Sequence, residues 1–156
     1  MVKKPSPMKI PAPLLPRSIR WLGVVVVAAF IFYASLVTIP ETVVDETQPE
    51  VIPLHLWRHI VAYFGLAGAL AYATDHWDMP RWRNAILVIG IAALYGISME
   101  AGQHFLPYRT PFLITDAAAN TLGASGVLIW YAVRPYLDLK SIPELADQLS
   151  SWYDNQ

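Results

Sequence analysis

The stretch from Tyr95 to Gly126, YGISMEAGQHFLPYRTPFLITDAAANTLGASG, places charged and amide side chains inside an otherwise apolar part of the chain. The polar residues that stand out are Glu100, Gln103, Arg109, Asp116 and Asn120. A carboxylate in a hydrophobic segment is energetically expensive, so such residues are by default candidates for a functional site. The rest of the chain has to supply the surroundings that make these groups tolerable.

The composition is typical of a membrane protein. Of the 156 residues 55% are hydrophobic and 15% are charged, whereas a soluble domain carries about 25% charged residues. The chain has no cysteine, which excludes disulfides, thiolate metal sites and cysteine nucleophiles. It also has no basic arm with interleaved aromatic residues and no glycine-rich phosphate loop, so nucleic acid is not a predicted partner.

Four apolar segments predict an all-α, integral membrane four-helix bundle within residues 19–134. The predicted spans are 19–39, 54–73, 84–105 and 111–133, each long enough to cross a hydrocarbon core of about 30 Å. Thr110 before Pro111 is typical of a helix N-terminus and predicts the start of the fourth span. Residues 1–18 form a basic, proline-rich extended tail. Residues 135–156 form a second tail, either without membrane contact or with a short helix lying on the membrane.

Basic residues predict the orientation. They precede the first span, lie in the loop after the second span and follow the fourth span, whereas the first loop has none and the third has only Arg109. Because basic residues favour the cytoplasmic side, both termini are predicted to be cytoplasmic and the protein a multi-pass protein of the cell membrane. The lipid bilayer is therefore its first predicted partner.

This topology brings polar groups from three helices to one level. His59, Glu100 and Asp116 each lie five residues from the outer end of a predicted span, which is roughly 8 Å below the outer surface. The spacing of Asp116, Asn120 and Gly123 places them on one helix face, and the same holds for His55, His59 and Tyr63. Small residues such as Ala119 and Gly123 allow close helix approach beneath this layer. The acids are expected to face inward and to be paired, with Arg109 as the first candidate cation and Arg58 as the second.

The same residues resemble the VanZ-like family of small multi-span membrane proteins, named for an accessory protein of teicoplanin resistance. The resemblance covers residues 19–133 and rests on four motifs, which are His59-x-x-x-Tyr63, Glu100-x-x-Gln103, Arg109 and Asp116-x-x-x-Asn120-x-x-Gly123-Ala124. Family members often carry Asp-Lys shortly before the histidine, where this chain has His55 and Leu56, so no role of that pair transfers. The resemblance implies a fold, a site and a link to the cell envelope or to glycopeptide-type antibiotic resistance.

Three classes of function fit these residues. The first is an enzyme or handling protein for a lipid-linked or cell-envelope molecule. Its candidate acid/base groups are Glu100, Asp116 and His59, and its candidate substrate contacts are Arg109, Gln103, Asn120 and Tyr63. The second is a non-catalytic binder, or a structural protein whose buried ion pairs only lock the helices. The third is a small proton-coupled carrier.

The sequence predicts no metal and no other cofactor. His59, Glu100 and Asp116 are chemically acceptable metal ligands, yet they do not form a dense His/Asp motif of the kind that known metal sites show. A histidine bonded to Tyr63 or to a backbone carbonyl is an equally ordinary use of His59. The interpretation without a metal is therefore favoured at this stage.

Overall fold

The computed structural model of the protein describes residues 9–37, 53–107 and 113–154, and it is mostly helical, as the predicted all-α class requires. In chain order the elements are β1 (Ile10–Leu14), α1 (Arg17–Phe32), a π-helical segment (Tyr33–Val37), α2 (Leu54–Thr74), α3 (Arg81–His104), α4 (Ile114–Ser125), α5 (Leu128–Val133), a 3₁₀ turn (Arg134–Tyr136), β2 (Leu137–Ser141) and α6 (Ile142–Asp154). The acidic loop between the first two predicted spans lies outside the described residues.

Two helical segments are long and apolar enough to cross a membrane, namely Arg17–Val37 and Arg81–His104. Helix α2, which corresponds to the second predicted span, is long enough with 21 residues. The histidines and Arg58 in its first turns, however, lower its mean hydropathy. The fourth predicted span is divided into α4 and α5, which have 12 and 6 residues. Length and composition alone therefore identify two of the four predicted spans.

The fourth predicted span begins later than its sequence indicated. Leu113 is extended, with φ −110° and ψ 124°, so α4 begins at Ile114 rather than at residue 111. Thr110 and Pro111 lie outside the described residues. At the other end of α4, the Gly126 N–H donates to the Gly123 carbonyl at 3.0 Å, three residues back, and Gly126 keeps right-handed helical angles. The junction with α5 is therefore a tightened helical turn and not a change of direction.

A two-stranded parallel sheet joins the two ends of the chain. Ile10 pairs with Leu137 and Leu14 with Ser141. Pro11 and Pro13 have no N–H, and alternate residues of a strand point their N–H groups to opposite edges, so β1 can donate along one edge only. β1 pairs with β2 along that edge, and the prolines leave no N–H on the other edge of β1 for pairing with another strand. The sequence predicted the extended N-terminal tail but not this pairing.

Polar contacts attach the sheet to one end of the helical bundle. The Tyr72 hydroxyl donates to the Pro13 carbonyl at 2.9 Å and accepts from the Leu15 N–H at 2.8 Å. Buried Arg20 donates to the Tyr72 carbonyl at 2.9 Å, so a cation lies at the C-terminal end of α2, where the helix dipole is negative. These contacts place β1 and β2, near the two ends of the described chain, on the same side of the bundle.

The turn between α2 and α3 lies at this end as well. Asp75, directly after α2, accepts two hydrogen bonds from the Arg134 guanidinium, at 2.6 Å and 2.9 Å. This bidentate pair, which raises the pKa of Arg134, ties the end of α2 to the end of α5. The basic residues of the described chain that precede α1, start α3 or follow α5 therefore all lie toward one end, the basic end.

A capping box starts α6. Ser141 lies directly before the helix, and its N–H donates to the Glu144 carboxylate at 2.8 Å. The hydrogen bonds from Ser141 hold the pKa of Glu144 below its usual value. A carboxyl group whose pKa is lowered by folding stabilises the fold above its unfolded pKa of about 4.3, and that contribution is lost as the pH falls through the folded value.

We therefore expect the cap of α6 to open on acidification. Between about pH 5 and pH 3, hydrogen exchange at the backbone N–H of Ser141 should accelerate in the wild type relative to Glu144→Gln. The glutamine side chain of that variant has no carboxylate that could be protonated over this range. Taking the ratio of the two proteins removes the intrinsic pH dependence of exchange. A ratio that stays constant over this range would show that the carboxylate does not support the cap.

Helices α2 and α4 approach each other closely. A Cβ at Gly123 would lie 2.3 Å from the Ile60 carbonyl oxygen and 2.8 Å from the Ile60 Cα, so only glycine allows this contact. The predicted role of Gly123 in close helix packing is thereby confirmed. Around it the core consists largely of small and aliphatic side chains such as Ala67, Ala71 and Val88.

Candidate functional site

Three helices bring His59, Glu100 and Asp116 together at the end of the bundle opposite the sheet. Three potential ligand atoms, one from each of these residues, lie within 4.8 Å of one another. The carboxylates are buried, with Glu100 2% and Asp116 7% exposed, while His59 is half-buried. The predicted meeting of these side chains from α2, α3 and α4 is thus observed in the structure.

His59 lies at the centre of the cluster. Its Nδ1 is 2.8 Å from Asn120 Oδ1 and 3.8 Å from Glu100 Oε1, and its Nε2 is 3.8 Å from Asp116 Oδ2. Because Asn120 Oδ1 is an acceptor, the short contact places a proton on Nδ1. The neutral ring then presents the Nε2 lone pair toward Asp116, and the protonated ring presents a donor there instead.

Asp116 is placed favourably by the late start of α4. It is the third residue of the helix, and its own N–H donates to the Leu113 carbonyl at 3.2 Å. A carboxylate in the first turn is stabilised by the free N–H groups and the positive end of the helix dipole. His55 Nε2 lies 4.0 Å from Asp116 Oδ1, on the exposed side of the cluster. His55 was not predicted as a site residue, although its spacing of four residues from His59 puts both on one helix face.

Asn120 is completely buried between α3 and α4. A Cβ at Gly96 would lie 2.9 Å from both the Cβ and the Nδ2 of Asn120, so Gly96 provides the room that this amide occupies. The Nδ2 group has no hydrogen-bond partner among the described residues. Asn120 therefore orients His59 through its oxygen and retains an unused donor beside Gly96.

Tyr63 lies one turn beyond His59 on the same face of α2, as its spacing predicted. It is 2% exposed, and its hydroxyl has no hydrogen-bond partner among the described residues. A buried hydroxyl without a partner is costly in an apolar setting, by about 1–3 kcal/mol in protein mutational data.

The remaining predicted substrate contacts are Gln103 and Arg109, and Arg58 was the second candidate cation. Gln103, on α3, donates from Nε2 to the Ser35 carbonyl at 3.1 Å, so its amide connects α3 to the π-helical segment after α1. Arg109, the predicted counter-charge, lies outside the described residues. Arg58, the second candidate cation, is exposed on α2.

The distances around His59 differ from those of a closed ion pair. At the basic end, Arg134 and Asp75 meet at 2.6 Å and 2.9 Å. His59 lies 3.8 Å from each carboxylate, which is beyond hydrogen-bond length. The His59 ring thus lies between the two carboxylates, with Glu100 on its Nδ1 side and Asp116 on its Nε2 side. The ligand atoms are also of the types that hold a divalent metal ion.

No protein-family model, curated protein or solved structure matches the chain.

Proposed function

We propose that the protein is a multi-pass membrane protein of the VanZ-like kind, with a polar site in the outer leaflet that handles a lipid-linked or cell-envelope molecule. The observation that carries the proposal is the cluster of His59, Glu100 and Asp116, buried where α2, α3 and α4 meet. Family membership rests on the resemblance of the motifs from His59 to Ala124. A contribution to glycopeptide-type antibiotic resistance belongs to the same proposal.

The distribution of polarity supports a membrane setting. Large apolar side chains are exposed on each of the helices from α1 to α5, among them Phe30 (68%), Val61 (62%), Leu94 (65%), Leu122 (62%) and Ile129 (64%). Polar side chains are buried between the helices. Soluble monomers rarely expose such extensive apolar surface, whereas lipid favours it. The proposal therefore places α1, α2, α3 and the combined α4 and α5 across the bilayer.

The distribution of basic residues supports the orientation. The end of the bundle that carries β1 and β2 also carries five basic residues, namely Arg17, Arg81, Arg83, Arg134 and Lys140. Because basic residues favour the cytoplasmic side, this end is proposed to be cytoplasmic. The His59 cluster at the opposite end then faces the outer leaflet, where envelope precursors and glycopeptides are reached.

The chemistry of the site suits proton exchange with a bound polar group. Asn120 fixes the orientation of the His59 ring, so that Nε2 faces Asp116. An imidazole that lies between two carboxylates is a common proton-transfer partner in enzyme sites. Arg109, on the short loop between α3 and α4, is proposed to hold a phosphate or carboxylate of the ligand. His59 and Glu100 are the proposed acid/base pair.

The alternative is a binder that presents the same molecule without changing it. The separations of 3.8 Å around His59 are compatible with either an enzyme or a binder.

Native mass spectrometry of the protein purified in mild detergent tests the proposal. The wild type is expected to retain an envelope lipid or lipid-linked molecule, and Asp116→Asn to retain less of it. His104→Gln is the matched control, because His104 is exposed at the same end and lies outside the cluster. Conversion of the ligand by the wild type only would identify an enzyme, and an unchanged ligand a binder. A wild type without any specific ligand would contradict the proposal.

A further inference from the structure

We propose that the cluster binds one divalent transition-metal ion, Zn²⁺ or Mn²⁺, through His59 Nε2, one Glu100 oxygen and one Asp116 oxygen. The inference deepens the proposed function and rests on the same site. One imidazole and two carboxylates are ligands that these ions accept. The sequence favours a site without a metal because these three residues do not form a dense His/Asp motif.

The distances fit an ion after small movements. A tetrahedral ion with bonds of about 2.0–2.1 Å holds its ligand atoms roughly 3.3 Å apart. His59 Nε2 and Asp116 Oδ2 are 3.8 Å apart, and one ring nitrogen of His59 and one oxygen of each acid lie within 4.8 Å of one another. Because Glu100 Oε1 lies 3.8 Å from Nδ1, an ion on Nε2 also requires the Glu100 side chain to rotate toward the Nε2 side of the ring.

The orientation of His59 is that of a metal ligand. Histidines that bind metals usually donate their other ring N–H to a fixed acceptor, which sets the tautomer and the ring plane. Here Nδ1 contacts Asn120 Oδ1 at 2.8 Å, and Asn120 is itself completely buried. The Nε2 lone pair is thereby directed at the space between His59 and Asp116. A histidine held only for packing does not need an oriented second nitrogen.

Charge and burial agree with this assignment. A divalent cation with two carboxylates and a neutral imidazole forms an electroneutral unit, which reduces the cost of burying the acids in an apolar bundle. The Tyr63 hydroxyl supplies a second, independent observation. Tyr63 lies one turn beyond His59 on the same face of α2, and its buried hydroxyl has no hydrogen-bond partner among the described residues. A metal-bound water or a ligand oxygen in the cluster would be a candidate partner for it.

Three protein ligands leave a coordination position open, as in catalytic zinc sites. A water or an anionic oxygen of the envelope molecule would occupy it. With an ion bound, His59 and Glu100 would hold it instead of forming the acid/base pair, and the ion would supply an activated water for proton exchange. The ion would thus define the substrate class as one with a phosphate, carboxylate or carbonyl oxygen.

The test measures metal content in the full chain, purified without a polyhistidine tag, stripped with chelator and reconstituted in nanodiscs. After equilibration with ZnCl₂ or MnCl₂ at micromolar concentration and desalting, the wild type should carry one ion per chain. His59→Gln and Asp116→Asn should bind at least about tenfold more weakly, and Asn120→Ala about 10–100-fold more weakly. His104→Gln should bind as the wild type does. X-ray absorption of the wild type should show one imidazole among oxygen ligands.

Either of two results would overturn the assignment. They are a wild type that carries no ion, or an Asp116→Asn protein that folds and binds with wild-type affinity. Because the wild-type stoichiometry is decisive alone, the test survives a variant that fails to fold. Native mass spectrometry separates this inference from the proposed function. A ligand retained by a wild type that binds no metal would leave the proposed function standing, and a bound ion without any retained ligand would contradict the proposed function alone.

Discussion

Glu100→Gln is expected to abolish ligand retention, and any turnover of that ligand should fall by about 10²–10⁴-fold, while the bundle stays folded. The substitution keeps the size of the side chain and removes the charge. Glu100 is 2% exposed and its Oε1 lies 3.8 Å from His59 Nδ1, so one of the two carboxylates facing the ring is lost. The amide keeps the shape of the side chain and can still form hydrogen bonds, which is why little loss of stability is expected.

The measurement pairs native mass spectrometry with thermal unfolding in the same detergent. Glu144→Gln is the matched control, because it removes a carboxylate from the exposed start of α6, at the other end of the molecule. The control should retain the ligand as the wild type does. If Glu100→Gln unfolds, or cannot be purified while Glu144→Gln can, the buried acids serve to lock the helices and the functional interpretation is wrong.

Gly123→Ala is expected to destabilise the bundle by about 2–3 kcal/mol, within the range found when well-packed interiors receive an additional methyl group. The new Cβ would lie 2.3 Å from the Ile60 carbonyl oxygen, and a backbone atom cannot turn aside as a side chain would. Helices α2 and α4 would have to separate. Because His59 precedes Ile60 directly and Asn120 lies one turn before Gly123, the His59–Asn120 contact should be lost as well.

Gly90→Ala provides the control for this prediction. No atom lies within 4 Å of a Cβ built at Gly90, which is in the middle of α3. Alanine there should be neutral or should stabilise the helix by up to about 1 kcal/mol. Thermal unfolding of both variants, followed by tryptophan fluorescence in one detergent, makes the comparison. Equal stabilities for the two variants would show that α2 and α4 do not touch at Gly123.

The cluster could be predicted from the sequence because the prediction needs only local patterns. Apolar runs fix where helices occur, and the spacing of His59 and Tyr63, or of Asp116 and Asn120, fixes which face they share. The depth argument then needs only a helix rise of 1.5 Å per residue. The fourth span was less predictable. Its start depends on the extended conformation of Leu113, which no capping residue announces.

Contacts between distant parts of the chain could not be derived in the same way. The pairing of β1 with β2 joins residues about 127 positions apart, such as Ile10 and Leu137, and prolines in β1 obscure its strand character. The Gln103 amide contacts the Ser35 carbonyl because a π-helical segment follows α1, and the sequence gives no sign of that segment. His55 was not among the predicted site residues, although its spacing places it on the same face as His59.

Cysteine labelling in intact cells tests most directly whether the cluster lies in a multi-span bundle and faces outward. The chain has no cysteine, so single substitutions give an unambiguous signal. His55→Cys stands beside Asp116 at the mouth of the site, and Arg83→Cys stands at the basic end. A membrane-impermeant maleimide is expected to label His55→Cys in intact cells and Arg83→Cys only after permeabilisation. Labelling of Arg83→Cys from outside, with His55→Cys protected until the cells are opened, would contradict an outward-facing site.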